Sequence, residues 1–356
     1  MNYIWSKKSL LDFLYNSITS VVKRKDFVFS DLFAWTWIVW SFFKQKWNQI
    51  IANDIQYYSF VLNRNYIWNH KPIYFYWLES EIKNLSNFSK WEDRVKVILE
   101  YLNNLDWKKG FIYKNYAPGG SKWNEFERMY FTDENAKKCD AIRMKIEEWE
   151  KAKLITENEY YFLLASLLES IDKVANTASV YGAFLKKFKK SALKPLVLEL
   201  AEFYLNDKEH QVFNEDINKL ILNTSHDVVY LDPPYNHRQY SGNYHLLETI
   251  VKYDNPQITW KTWMRVDPEK KSLFCSRAEV KKSFKFLMDN IKANYVFLSY
   301  NDEWLMSLDD IKEIMSVRWK YGVFTKEYRR FKADKTENRN HKKDSVIEYL
   351  HYVKLQ

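Results

Sequence analysis

The first seventy residues alternate between short apolar runs and longer amphipathic stretches. Residues 27–34 and 49–53 are short, apolar and rich in β-prone side chains, which predicts two buried strands. Residues 8–24, 38–46 and 56–64 have the mixed patterns that favour helices. Because strands that alternate with helices are typical of a parallel sheet covered by helices, the pattern predicts an α/β fold.

This alternation stops after about residue 70, where the chain becomes charged, polar and aromatic. Within that stretch, residues 134–151 and 157–190 favour helices. Short apolar runs typical of strands return later in the chain, at 210–214, 227–231 and 295–299. We therefore predict one α/β domain made of residues 1–70 and 206–356, interrupted by a mainly helical, loop-rich insertion at 71–205.

Charge and apolar content narrow the class of protein. Lys and Arg number 55 against 46 Asp and Glu, and the net charge of +9 favours a polyanionic partner. Residues 27–43 are strongly apolar, but they number 17 and contain Asp31, whereas a helix needs about 20 apolar residues to cross a bilayer. We therefore expect no membrane partner. The two cysteines, Cys139 and Cys275, exclude a disulfide scaffold and indicate a reducing, cytoplasmic compartment.

Glycine and tryptophan occur in unusual numbers. The 356 residues include 6 Gly and 15 Trp, whereas ordinary usage of about 7% predicts roughly 25 glycines. Most of the tryptophans lie where glycine fits the local pattern, as Trp47, Trp107 and Trp123 do, while Trp149 lies inside a predicted helix. We hypothesise that UGA codons that mean glycine have been read as tryptophan.

The motif Asp232-Pro233-Pro234-Tyr235 follows the apolar run 228–231. A strand that ends in a rigid Pro-Pro turn places groups at the carboxyl edge of a sheet, where open α/β folds bind ligands. The Asp232 carboxylate and the Pro233 carbonyl offer two acceptors to a planar amino group, and Tyr235 offers a ring that stacks on a flat base. An ordinary exit from a strand into a turn is the alternative interpretation.

Three tryptophans occupy the spacing of a nucleotide-binding loop. Phe33 to Trp40 reads FAWTWIVW, and glycine at each tryptophan would give FAGTGIVG. Trp35, Trp37 and Trp40 then match G-x-G-x-x-G after a predicted strand. Asp54 follows Trp35 by 19 positions, at the end of the next strand, where such folds carry a ribose-binding acid. A tryptophan-rich core segment is the alternative, and UGG codons at positions 35, 37 and 40 would contradict a misread glycine loop.

If the tryptophans are the true residues, this loop should bind a nucleotide poorly. Glycine lets the backbone turn tightly and approach the ligand, whereas an indole at Trp35 or Trp37 would occupy the ligand's space. Bulky side chains at positions of positive φ would also strain the backbone. We therefore expect weak cofactor binding and a strained fold in that case.

Together the two motifs resemble the DNA methyltransferases that act on the 6-amino group of adenine, in the order cofactor loop, recognition region and DPPY. The family's aromatic-x-Gly-x-Lys signature is matched by Tyr3-Ile4-Trp5-Ser6-Lys7, with Trp in the glycine position. Residues 115–131 and 170–185 resemble the subgroup that accompanies restriction systems. The resemblance implies a Rossmann-like sheet that depends on S-adenosylmethionine, with 71–205 as the inserted target-recognition region. It implies double-stranded DNA as substrate and makes a cognate restriction endonuclease a candidate partner.

The resemblance assigns cofactor-binding roles to residues near the predicted strand ends. These are Tyr3 and Lys7 at the methionine end, Phe33, Trp35 and Trp37 along the methionine and ribose, Asp54 at the ribose hydroxyls, Asp216 near the adenine, and Asp232. Other interpretations stay open for three of them. Lys7 would otherwise solvate the start of a helix, Tyr3 would be a core aromatic, and Asp216 would cap a helix.

The resemblance also assigns the chemistry to Asp232, Pro233, Pro234 and Tyr235. The target adenine must leave the base stack for its amine to be reached. Hydrogen bonds from the amine to Asp232 and Pro233 would favour the tetrahedral nitrogen, whose lone pair then attacks the methyl group. Asp232 need not be a strong base, because the methylated amine loses its proton readily. No spacing typical of metal ligands accompanies these motifs, so we expect no metal.

Contacts with DNA are expected from the insertion and from the basic surface. Lys122, Asn124 and Arg128 flank a turn at 117–121 and would reach base edges. A basic run suits phosphate contact, or else a solvated helix end, and consists of Lys186, Lys187, Lys189 and Lys190. Arg238 and Gln239, just beyond the DPPY motif, would hold the flipped strand.

Three other functions stay open. One is methylation of RNA, and another is methylation of a protein glutamine amide. The protein-modifying group usually has Asn before Pro-Pro-Tyr, whereas this chain has Asp232. The third is a nucleic-acid-binding relative that has lost its cofactor, which the tryptophan loop taken literally would favour.

Overall fold

The computed structural model of the protein describes residues 7–35, 37–69, 71–178, 180–234, 239–259, 261–262, 264–266, 272–301, 305–317, 319–329 and 345–355. These residues form two compact units. The first, here called the sheet unit, takes in the described residues of 3–63, 208–240 and 269–356. The second, the helical unit, takes in those of 64–207 and 241–268. Residues 241–268, which we expected with the α/β domain, therefore pack with the residues of the insertion.

The helices of the described residues are α1 (Leu11–Val22), α2 (Ile38–Gln45), α3 (Tyr57–Asn63), α4 (Trp91–Asn103), α5 (Phe111–Tyr116), α6 (Pro118–Ser121), α7 (Asp133–Lys151), α8 (Glu157–Lys173), α9 (Ile217–Asn223), α10 (Tyr240–Asn243), α11 (His245–Lys252), α12 (Val280–Asn290) and α13 (Leu308–Ser316). A π-helical turn at Arg64–Trp68 follows α3. Short 3-10 helices lie at Lys7–Leu10, Tyr76–Ser80, Leu85–Asn87 and Leu273–Cys275. Among the described residues, no helix has the length and apolar character that a bilayer span requires.

The strands are β1 (Val28–Asp31), β2 (Gln49–Asn53), β3 (Gln211–Phe213), β4 (His226–Leu231), β5 (Ile258–Thr259), β6 (Met264–Arg265), β7 (Ala293–Asn301), β8 (Trp319–Arg329) and β9 (Ser345–Leu355). Apart from the short β5–β6 pair of the helical unit, they form one sheet in the order β3-β2-β1-β4-β7-β9-β8. The first five strands of that order are parallel, and β9 runs antiparallel to β7 and β8. The predicted α/β fold is confirmed, with a mostly parallel seven-stranded sheet in the described part of the chain.

The central strands β1 and β4 are apolar because helices cover them. Phe29 and Val229 are fully buried, and the ring of Phe29 stacks on that of Phe43 from α2 at 3.8 Å between centroids. A second layer of apolar side chains from α9, α12 and α13 packs on the sheet, with Phe284 and Leu287 at its centre. Burial of one such large apolar side chain stabilises the fold by about 1.5–3 kcal/mol.

The helical unit is built largely on α7 and α8. Thr132 and Thr156 each cap the helix that follows, and Glu159 completes a capping box at the start of α8. The prediction of a helix over 157–190 is wrong beyond Lys173. There the amide of Asn176 donates hydrogen bonds to the carbonyls of Met129 and Leu185, both at 2.9 Å, and organises a loop instead.

Candidate active site at the carboxyl edge of the sheet

A cleft opens in the sheet unit where β1 and β4 end side by side. Phe33 follows β1, and Asp232 follows β4. The chain goes on from β1 to β2 and from β4 to β7, so it leaves these two neighbouring strands in opposite directions along the sheet. Such a switch point is the usual place for ligands in open α/β sheets. The cleft is lined by residues from five parts of the chain: Leu32, Phe33 and Trp35; Asn53 to Gln56; Glu215 to Asn218; Asp232, Pro234 and Gln239; and Ser272 to Phe274.

The apolar side of the cleft is aromatic. Phe33 meets Phe274 edge to face, with 5.0 Å between ring centroids. Ser272 and Gln239 hold this wall in place, because the Ser272 N–H donates to Gln239 Oε1 at 2.8 Å and Gln239 Nε2 donates to the Ser272 carbonyl at 3.1 Å. The result is a flat, hydrophobic surface suited to a ring or a thioether chain.

Two carboxylates face the cleft from the ends of neighbouring strands. Asp54, at the end of β2, accepts a hydrogen bond from the Gln56 N–H at 2.7 Å. Asp216 accepts one from the Asn218 N–H at 2.9 Å and so caps α9. The capping interpretation of Asp216 is confirmed, and its place in the lining leaves a ligand role open as well.

Of the three loop tryptophans, one lies in the cleft. Trp35 is half-buried on its wall, and its Nε1 donates to the Tyr58 hydroxyl at 2.8 Å. Trp37 directly precedes α2 and is not part of the lining, while Trp40 is a buried residue of α2 whose Nε1 donates to Asn63 Oδ1 at 3.0 Å. The cavity that remains in the cleft is about 60 Å³, room for a few water molecules.

The expected backbone strain is absent from these three positions. The described residues other than glycine with positive φ include Trp47, at 66°, but none of Trp35, Trp37 and Trp40. Trp47 lies just after α2 with its side chain 60% exposed, the place where a helix often ends in glycine. The expectation of strain is therefore wrong for the loop tryptophans and holds at Trp47.

A buried lysine accompanies the DPPY motif. Lys7 Nζ lies 3.5 Å from Asp232 Oδ1 and 2.6 Å from Glu348 Oε1. Glu348 is fully buried on β9 and also accepts a hydrogen bond from the Ser299 hydroxyl of β7. Burial by itself lowers the pKa of Lys7, but the charges of Asp232 and Glu348 outweigh burial and raise it, so Lys7 is a cation.

Asp31 is a second buried acid beside the motif. It ends β1, is 2% exposed, and its Oδ1 has no hydrogen-bond partner among the described residues. Burial, together with the negative charge of Asp232, raises the pKa of Asp31 well above its ordinary value. The carboxyl group is therefore more readily protonated than a solvent-exposed aspartate.

The structure thus brings together many of the residues that the sequence singled out. Those in the cleft lining are Phe33, Trp35, Asp54, Asp216, Asp232 and Pro234, with Pro233 buried behind them and Lys7 against Asp232. Trp37 lies outside the lining. Tyr3, Tyr235 and Arg238 lie outside the described residues. The described residues contain no group of three or more His, Cys, Asp or Glu arranged to hold a metal.

Of the residues near the turn at 117–121 that we expected to contact DNA, two are exposed and one is buried. Lys122 and Asn124 are exposed in the loop after α6, and Lys122 Nζ lies 5.4 Å from the centre of the Trp123 ring. Arg128 is instead fully buried and donates from Nη1 to the Phe126 carbonyl at 2.7 Å. A guanidinium buried in this way does not present itself to base edges, so the expectation for Arg128 needs correction.

Several cleft residues escaped the sequence analysis. Ser272 and Phe274 lie at a short 3-10 helix that carries no motif, and Asn53 and Gln56 lie near Asp54 without a spacing of their own. Glu348 carried a weak signal, because it is the one acid in the short, otherwise apolar run 346–350.

Comparison with known proteins agrees with the geometry of the cleft. Residues 3–323 match the family model of the D12 class N6 adenine-specific DNA methyltransferase. The chain is 49% identical over 355 residues to the Type II methyltransferase M.NlaIII of Neisseria lactamica, covering 99% of both chains. It is 35% identical over 360 residues to the Type II methyltransferase M.CviAII of Paramecium bursaria Chlorella virus 1, covering 100% of this chain and 99% of that one.

A longer relative contains a region that corresponds to this chain. The Type II methyltransferase M.FokI of Planomicrobium okeanokoites is 36% identical over 361 residues, which is 99% of this chain and 52% of that protein. The family model and these relatives match the chain over most of its length, and the matched part includes the residues that line the cleft. The chain belongs to the D12 class of N6 adenine-specific DNA methyltransferases.

Proposed function

We propose that the protein transfers a methyl group from S-adenosylmethionine to the 6-amino group of adenine at a specific site in double-stranded DNA. The observation that carries the proposal is the position of Asp232 and Pro234 in a cleft whose other walls hold Phe33, Asp54 and Asp216. The Type II methyltransferase names of the relatives support a place in a restriction-modification system.

The order of the strands supports a Rossmann-like sheet. The run β3-β2-β1-β4-β7 has the 3-2-1-4-5 pattern of doubly wound nucleotide-binding folds, and the antiparallel β9 extends it. In this arrangement the loop after β1 carries the cofactor and the turn after β4 carries the target base.

The residues of the cleft suit the parts of S-adenosylmethionine, which supplies an electrophilic methyl group on sulfur. Asp54 would accept hydrogen bonds from the ribose hydroxyls, and Asp216 would lie near the adenine. Phe33 would pack on the apolar portions, while Trp35 narrows the space that they need. Lys7 would contribute through Asp232, which it touches in the structure.

The DPPY turn would hold the target amine. The Asp232 carboxylate, with its side chain 17% exposed, and the Pro233 carbonyl are acceptors for the two amine hydrogens. Hydrogen bonds to these two acceptors favour a tetrahedral nitrogen, whose lone pair is no longer conjugated with the ring. As that nitrogen would bond to the methyl carbon, the methyl–sulfur bond would break and its electron pair would stay on the sulfur of S-adenosylhomocysteine. The methylated amine must then lose one proton, which Asp232 or nearby water can accept. Proximity and orientation supply most of the acceleration in such a site.

The helical unit would bind and read the DNA. Its described residues include Lys122 and Asn124 on an exposed loop, together with the basic run at 186–190. Within that run Lys189 donates to the Thr177 carbonyl at 2.8 Å, so Lys186, Lys187 and Lys190 are better suited to phosphate contact. Residues 71–205, together with 241–268, would then form the recognition region.

The test is methylation of plasmid DNA by the protein and by its Trp35→Gly/Trp37→Gly variant, followed by mapping of modified adenines. We expect N6-methyladenine at one short sequence, and loss of the product in the Asp232→Ala variant. Asp309→Ala, at an exposed position of α13, serves as the matched control and should retain activity. Equal methylation with and without the Asp232 carboxylate would show that the target base binds elsewhere.

The narrow cleft favours one alternative, a DNA-binding relative without cofactor affinity. The observation behind it is the Trp35 indole on the cleft wall. Titration of the protein with S-adenosylmethionine and with DNA separates the two functions. DNA binding without cofactor binding, in both the protein and the double glycine variant, would support the alternative.

A further inference from the structure

Glu348 is a buried carboxylate that no motif of the sequence marks. It lies on β9 opposite Asn301 of β7 and Lys326 of β8, and it is 0% exposed. The match to the family model ends at residue 323, before β9 begins. A buried carboxylate is costly to keep charged unless a cation and hydrogen bonds stabilise it, so its partners indicate what it does.

Those partners lead directly to the DPPY turn. Glu348 Oε1 accepts hydrogen bonds from Lys7 Nζ, at 2.6 Å, and from the Ser299 hydroxyl. The same Lys7 ammonium lies 3.5 Å from Asp232 Oδ1. The lysine therefore sits between two carboxylates, hydrogen-bonded to Glu348 and too far from Asp232 for a strong hydrogen bond.

The charges of this group influence one another. Burial, followed by the charge of Glu348, raises the pKa of Tyr328 to about 12, so the phenol stays neutral. Lys7 has a carboxyl group on each of two sides, that of Glu348 at 2.6 Å and that of Asp232 at 3.5 Å. If Glu348 were neutral, the cation would have Asp232 as its nearest anionic partner.

We propose that Glu348 is a positioning residue for methyl transfer, which draws the Lys7 ammonium away from Asp232. At 3.5 Å the ammonium still favours the charged carboxylate, but it does not bind tightly to the oxygen that must accept an amine hydrogen. Glu348 thereby loosens the hold of the Lys7 ammonium on the Asp232 oxygen that would meet the target base. This inference rests on the proposed role of Asp232 in holding that base.

The test is the kinetics of Glu348→Gln, measured in whichever background methylates DNA. Glutamine keeps the size of the side chain and removes its charge, so Lys7 should pair with Asp232. We expect kcat to fall about tenfold with a smaller change in the KM for S-adenosylmethionine. The acid limb of the kcat–pH profile should move to lower pH, because a closer cation stabilises the charged Asp232. Glu327→Gln, an exposed acid on β8 of the same hairpin, should change neither.

A second pair of variants separates positioning from a purely structural role. If Glu348 acts through Lys7, then Glu348→Gln should cost less than about twofold when Lys7→Met is already present. An equal loss in both backgrounds, or an unmoved pH profile, would overturn the inference. If thermal unfolding shows that Glu348→Gln does not fold, Glu348→Asp keeps the charge but withdraws it by one methylene group. Its kcat should also fall with the same shift of the acid limb, and an unchanged kcat would overturn the inference.

The outcome also distinguishes this inference from the proposed function. Full activity of Asp232→Ala would show that the proposed site itself is wrong. An inactive Asp232→Ala beside a fully active Glu348→Gln would leave the site intact and remove only the role of Glu348.

Discussion

The indole of Trp35, in the loop after β1, donates a hydrogen bond to the hydroxyl of Tyr58 in α3, with 2.8 Å between Nε1 and the oxygen. The bond links the cofactor-loop position to α3 and keeps the ring on the wall of the cleft. The indole is thus part of the wall of a cavity of about 60 Å³.

We predict that Trp35→Gly raises the affinity for S-adenosylmethionine by about tenfold or more. The substitution removes a large ring from the cleft wall, and binding no longer requires the ring to be displaced. Isothermal titration calorimetry measures the change. Tyr58→Phe removes the hydrogen bond but leaves the indole, so it should give a smaller gain. An unchanged affinity in Trp35→Gly would show that the indole does not limit binding.

Trp47→Gly should stabilise the protein. Trp47 has a φ of 66° and a side chain that is 60% exposed, so glycine relieves a left-handed backbone with little loss of buried surface. The left-handed conformation costs a residue other than glycine about 1–2 kcal/mol. The free energy of unfolding in urea should therefore rise by about 1 kcal/mol.

The control for this prediction is Trp77→Gly. Trp77 is similarly exposed, at 66%, but it lies in a 3-10 helix and has no positive φ. Glycine should leave stability unchanged there or lower it. Equal stabilisation by both substitutions would mean that loss of an exposed indole, and not the backbone, is responsible.

Asp31→Asn should change the pH dependence of stability. Burial raises the pKa of Asp31 in the folded protein above its value in the unfolded chain, so the folded state holds the proton more tightly. Stability therefore falls as pH rises from the ordinary aspartate pKa of about 3.9 toward the folded value. Asparagine cannot ionise, so the stability of the variant relative to the protein should be higher at pH 8 than at pH 4.

Urea unfolding at the two pH values checks this difference. Asp309→Asn is the control, because it makes the same change from an acid to an amide at an exposed position of α13. If the stability difference between Asp31→Asn and the protein is the same at both pH values, then Asp31 does not carry the proposed proton.

Lys186→Ala, at an exposed position of the basic run, should weaken DNA binding to all sequences alike. An exposed lysine that contacts phosphate releases counterions, so its loss should reduce the slope of log affinity against log salt concentration by about 0.9. Fluorescence anisotropy at several salt concentrations measures this slope. Lys282→Ala, at an exposed position of α12, is the matched control. An unchanged slope would place Lys186 away from the DNA backbone.

Local pattern predicted the elements of the first seventy residues well. The expected strand at 49–53 matches Gln49–Asn53, and the expected helix at 38–46 matches Ile38–Gln45 within one residue. In both cases the apolar positions along the segment itself determine which face is buried. The strands β8 and β9 were not predicted, because β9 pairs with β7 and β8, and a pattern within one segment does not show such partners.

The residues of the candidate site likewise divide into those that local pattern predicts and those that it does not. Phe33, Asp54 and Asp232 could be found because each follows a strand in a parallel sheet, and strand ends meet at one edge. Phe274 and Glu348 could not, since the packing of distant segments alone brings them to that edge. Arg128 shows the reverse error, because a basic residue near a turn was expected at the surface and lies buried.

The ion pair between Lys7 and Glu348 joins residues 341 positions apart. At a synthesis rate of about 5–20 residues per second, roughly 17–70 s separate the appearance of the lysine from that of its partner. Because β9 lies between β7 and β8, the sheet also cannot reach its final pairing before that strand has been made. A nascent chain therefore lacks the Glu348 partner of Lys7 beside the DPPY turn, and this ion pair can form only after nearly all of the chain has been synthesised.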